Sequence, residues 1–123
     1  MRRPEADFDA MVREALALIP AEFLPYLENL PIFVEEEPDA ALAASLELEE
    51  DEGLYGIYLG TPLTERPHDH QRLPDRIILF RRCLQEDFPD PEELRHEILV
   101  TVVHEIAHHF GIGEERLEEL GLD

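Results

Sequence analysis

Tryptophan is absent from the 123 residues, and Cys83 is the only cysteine. One cysteine excludes an intrachain disulfide, so packing must hold the fold together. No apolar run reaches the roughly 18 residues that a membrane span requires. Basic residues are scarce, 10 against 30 acidic ones, for a formal net charge of −20. Nucleic acids and anionic membranes are bound through Lys and Arg, so this balance excludes both as partners. The excess reads first as a solvated, solubilising surface, and a negative field would also favour cationic substrates and divalent metals. The N-terminal stretch "MRRPEADFDAMV" has two arginines. Acids follow at once, and there is no signal-peptide core. The expected location is the cytoplasm.

What is present is enough for one modest core. The apolar fraction, 44%, is that of an ordinary globular protein and speaks against global disorder. The length suits a single domain over residues 1–123. Residues 5–19 carry Phe8, Met11, Val12, Ala15, Leu16 and Ile19 at helical spacing. Residues 20–31 contain three prolines and read as a short helix or turn. "IFVEEE" is a short strand candidate, and Asp39 caps one or two helical turns after it. "GLYGIYLGTPL" (53–63) reads as a strand, with Tyr55, Ile57 and Leu59 on one face. Gly56 inside it marks a bulge or the close approach of another backbone. Residues 64–76 read as a polar loop and "RIILFRRCL" (76–84) as a second strand. The order of elements predicts an α+β domain, with helices packed on a small mixed sheet and a long helix near the C-terminus.

That long helix is the clearest element. Asp90 is placed to cap it, Pro91 suits its first position, and Gly111 suits its end. Ile98, Leu99, Val102, Val103, Ile106, Ala107 and Phe110 form one apolar stripe on a helical wheel. Glu97, Thr101, His104 and His108 fall on the other side. Residues four apart on a helix are stacked neighbours, so His104 and His108 aim at a common point. Glu105 lies one step round and would reach a water held there. Two imidazoles with a carboxylate between them are the H-E-x-x-H arrangement, two metal ligands and a general base on one turn.

A catalytic zinc takes three protein ligands and keeps one position open. Only fifteen residues follow His108, so a ligand from a second helix well downstream would be cramped. A chain reversal at Gly111 would instead return Glu114, with Glu115 as its rival. The other reading of both glutamates is a pair of first-turn acids on a last short helix. His68, Asp69 and His70 form a second cluster, either a supplementary ligand group or a polar loop with incidental histidines. His109 falls near the apolar stripe and reads as packed rather than coordinating.

The stretch "HEIAHHFGIGE" has the form H-E-x-x-H-x-x-G-x-x-E. It resembles the extended motif of the metzincins, with Glu in place of their third histidine. More closely, the chain resembles the small bacterial minimal zincins, a metallopeptidase family whose motif H-E-x-x-H-x-x-G-x-x-D closes a domain of about this size. "YGIYLGTPLTER", "LPDRIILFRR" and "HEIAHHFGIGEERLEELG" carry the resemblance. It implies Zn²⁺ as cofactor, held by His104, His108 and Glu114. It also implies Glu105 as catalytic base and a peptide or protein as substrate. Zincins bind peptide along an edge strand, which assigns Tyr55, Gly56 and Tyr58 to substrate binding and leaves room for its backbone at Gly56. The chain departs from the pattern in having Glu rather than Asp at 114. It also has no methionine after the motif to support the site from below. A zinc-binding structural or regulatory module without turnover is the alternative, and a non-metal interaction domain the third reading.

Overall fold

The computed structural model describes residues 4–45, 54–60 and 75–123. The chain opens with helix α1 (Pro4–Leu16). A 3₁₀ turn (Ala21–Phe23) and the four-residue α2 (Leu24–Leu27) follow among the prolines. Strand β1 (Ile32–Glu35) leads to α3 (Ala40–Ser45), where the Asp39 carboxylate accepts from the Leu42 N–H at 2.8 Å. Then come β2 (Gly56–Leu59), β3 (Arg76–Phe80), α4 (Arg81–Asp87), α5 (Pro91–Phe110) and α6 (Glu114–Glu119). The architecture is α+β, as expected. No helix among the described residues is long and apolar enough to cross a membrane.

The three strands lie in the order β1-β3-β2, with β1 parallel and β2 antiparallel to β3. The central strand is the most apolar, and Ile77, Ile78, Leu79 and Phe80 are all buried. A strand covered on both faces reads as a continuous hydrophobic run rather than an alternation. The expected strand over 76–84 ends earlier, at Phe80, and the chain passes directly into α4. "RRCLQED" is rich in good helix formers and buries only Leu84. No Gly or Pro separates the two elements.

Helix α5 organises the rest. The Asp90 carboxylate accepts from the Glu93 N–H at 3.0 Å and Pro91 begins the helix. Gly111, at φ 75°, ends it. Its apolar stripe packs on α1, where Phe8 and Ala15 are fully buried and Val12 nearly so. Phe110 is the exception to that stripe. It is 45% exposed and lies against Tyr26, with ring centroids 4.6 Å apart, because the helix has passed beyond the core by that turn. The more polar side of α5 faces β2. The two approach so closely that a Cβ on Gly56 would stand 2.8 Å from the Thr101 Cγ2. The absent side chain at Gly56 therefore admits the helix.

Candidate metal centre

The motif lies on the last turns of α5 and continues through the reversal at Gly111. That reversal is a hydrogen-bonded cap: the N–H groups of Gly111 and Ile112 both donate to the Ala107 carbonyl, the latter at 2.8 Å. Positive φ costs glycine no steric penalty. The chain turns back and starts α6 at Glu114. His104, Glu105, His108, Gly111 and Glu114 thereby line one cavity of about 460 Å³. A smaller cavity of about 310 Å³ adjoins it. His104 and Glu105 line that cavity too, with Leu54, Tyr55, Gly56, Glu97 and Thr101. The two cavities share His104 and Glu105, and the smaller one lies between α5 and the start of β2. Glu115 lines neither.

Among the described residues β2 is an outer strand of the sheet, and its register fixes which groups point away from β3. The Phe80 N–H donates to the Tyr55 carbonyl at 2.9 Å, and Ile57 stands opposite Ile78. Bonded and non-bonded pairs alternate along an antiparallel ladder. Ile57 and Leu59 therefore bond to β3, while the main-chain groups of Gly56 and Tyr58 point outward. Consistent with that parity, the Tyr58 N–H donates to Glu105 Oε2 at 3.2 Å. Glu105 is half-buried. Burial pushes its carboxyl above the ordinary value, and the Tyr58 N–H and the imidazoles of His108 and His104 pull it partly back. A carboxylate shielded from water, beside two histidines, has the setting of a general base.

His104 is half-buried, and its Nε2 lies 2.7 Å from the main-chain oxygen of Leu122. His108 and Glu114 are exposed. Among the described residues, no three His, Cys, Asp or Glu side chains stand close enough together to hold a metal. Two imidazoles and a carboxylate around one cavity are nonetheless the donor chemistry that zinc takes. The residues fit the ion in type and in shared lining, and differ from a finished ligand set in the contact His104 makes. His109 is turned away from the cavity. Its ring stacks on Tyr58, with centroids 3.9 Å apart and planes at 15°.

Matching the chain against known families gives one result: zincin-like metallopeptidases match residues 27–122. The chain belongs to that family. No curated protein matches it. Membership implies a metal cofactor, typically zinc, and a peptide or protein substrate.

Of the expected substrate residues, Gly56 and Tyr58 lie on β2 and Tyr55 immediately precedes it, each with an engagement that no spacing in the sequence signals. The Tyr55 hydroxyl donates to Asp87, and that bond, with burial and the charge of Asp87, pushes the phenol up to about 12. The Tyr58 hydroxyl donates to Asp75 at 2.9 Å. Both phenols are thus held by carboxylates rather than aimed at the motif. Gly56 is buried and the space beside it holds Thr101 of α5, so it is the helix, not a substrate backbone, that occupies the room left by the missing side chain. His68, Asp69 and His70 lie outside the described residues. Sequence reasoning also missed Leu122. The signal for it was the "LGL" ending of the last helix, a glycine followed by an apolar residue, which is the pattern of a hydrophobic C-terminal cap.

Proposed function

We propose that the chain is a zinc-dependent peptidase with His104, His108 and Glu114 as metal ligands and Glu105 as general base. The observation that carries this reading is that all four line one cavity, where Glu105 also accepts from the Tyr58 N–H of β2. Zinc, when bound, supplies Lewis acidity, which activates water and polarises a carbonyl. Glu105 takes the proton of the attacking water and returns it to the leaving nitrogen. Burial raises its pKa above the ordinary carboxylate value, which makes the carboxylate a stronger base. The peptide docks in extended form alongside β2, whose Tyr58 N–H stays with Glu105. Tyr55 lines the smaller cavity together with His104.

Metal analysis joined to a peptide-library digest tests the assignment. The purified chain should hold about one zinc, and His104→Ala should lose it. Glu105→Gln should keep the metal and lose cleavage by about 10²- to 10⁴-fold. Cleavage that survives in Glu105→Gln would remove the base. Zinc bound without cleavage of any peptide leaves a zinc-binding module in place of an enzyme.

A further inference from the structure

We propose that the main-chain carbonyl of Leu122 competes with the metal for His104. The inference rests on the metallopeptidase reading. A carbonyl oxygen only accepts hydrogen bonds, so at 2.7 Å it requires the proton of His104 on Nε2. A ring nitrogen that carries a proton has no lone pair for an ion. While this contact stands, Nε2 is closed to the metal.

The contact is built, not incidental. After α6 the Gly121 N–H donates to the Glu118 carbonyl at 3.0 Å and the Leu122 N–H to the Leu117 carbonyl at 2.9 Å. Those two bonds form a Schellman cap, with Gly121 at φ 72° and an apolar residue after it. The Leu122 side chain is buried in the core, 4% exposed, beside Leu117. Burial on one side and two hydrogen bonds on the other fix the direction of the Leu122 carbonyl. At Gly111 a related left-handed cap, with both N–H groups on the Ala107 carbonyl, precedes α6, and Glu114 at its start lines the cavity with His104 and His108. The α6 segment thus brings a third ligand with its first residue and a competitor for the first ligand with the turn after its last. Metal uptake then includes the exchange of the Leu122 carbonyl for the ion at His104.

Loosening the cap should therefore tighten metal binding. Gly121→Ala strains only the left-handed position, since a Cβ there meets nothing within 4 Å. Zinc affinity of the full chain, measured by competition with a chromophoric chelator, should rise about fivefold, with roughly 30-fold as the ceiling set by the strain of a left-handed alanine. Gly121→Asn, which tolerates that conformation, should stay near the parent value. The ring ¹⁵N spectrum of the unaltered protein reads the same exchange without a variant. Without zinc the His104 proton should sit on Nε2, and with zinc it should move to Nδ1. An Nε2 proton that persists with zinc bound overturns the inference, because Leu122 would then only orient the ring. Equal zinc affinity in the parent and Gly121→Ala overturns it as well, with the peptidase reading intact. No zinc on either chain removes both.

Discussion

At the scale of single residues, Glu105 and Tyr55 both carry raised pKa values, so both contributions to stability fall as pH rises, in different pH windows. The Glu105 carboxyl is raised mainly by burial. The folded protein therefore binds this proton more readily than the unfolded chain, and folding weakens as pH rises from the unfolded value through the folded one. Above both values the penalty is constant, so Glu105→Gln should melt higher than the parent near pH 7 in metal-free buffer. It should lose that advantage below about pH 4, where the parent carboxyl is also neutral. A melting series over pH checks this, and a variant that melts lower throughout would mean the Tyr58 N–H bond outweighs burial. Tyr55 is raised to about 12, first by its bond to Asp87. Its contribution is complete below about pH 10 and is lost as pH climbs through about 12. Asp87→Asn should bring one of the three phenols back toward about 10 in an ultraviolet titration of tyrosinate. A titration that matches the parent would show that burial alone holds the phenol.

At the scale of elements, the contact of α5 with β2 shapes the smaller of the two cavities. Gly56→Ala would set a methyl 2.8 Å from Thr101 Cγ2, with Leu79 Cδ2 and the Ile78 carbonyl oxygen at 3.1 and 3.2 Å. Overpacking of this kind costs about 1–3 kcal/mol. In a Thr101→Ser background the nearest atom is gone, while the hydroxyl keeps its bond to the Glu97 carbonyl. The alanine should then cost measurably less, and denaturant titrations of the four chains give the coupling. Additive effects would mean the helix stands off the strand. Helix α5 was legible in the sequence because Asp90, Pro91 and Gly111 punctuate both ends and the apolar stripe repeats at helical spacing. Helix α4 was not, since nothing between Phe80 and Arg81 marks the change of period. The motif showed which side chains could meet. It did not show that Leu122 holds His104 or that the Tyr58 N–H holds Glu105, because main-chain groups are the same at every position and only the fold says where they point.

At the scale of the whole molecule, 20 uncompensated negative charges set the terms. The described ion pairs, Arg81 with Glu36, Arg82 with Glu37, Arg95 with Glu14, and Arg116 with Glu22 and Glu119, are exposed on at least one side. Each is worth about 0–1 kcal/mol. Raising salt from about 0.01 M to about 0.15 M shortens the screening length from roughly 30 Å to roughly 8 Å. Partners within 4 Å lie inside either length and change little. Repulsion among carboxylates spread over the surface acts across the distances that salt removes. Repulsion is therefore the larger salt-dependent contribution, and the melting temperature should rise with sodium chloride, by about 4 °C for each kcal/mol of repulsion removed. The field that destabilises the fold also draws divalent cations to the candidate metal centre, so the rate of zinc uptake should fall over the same range of salt. A melting temperature that drops as salt is added, with uptake unchanged, would mean that the ion pairs and not the net charge govern this surface.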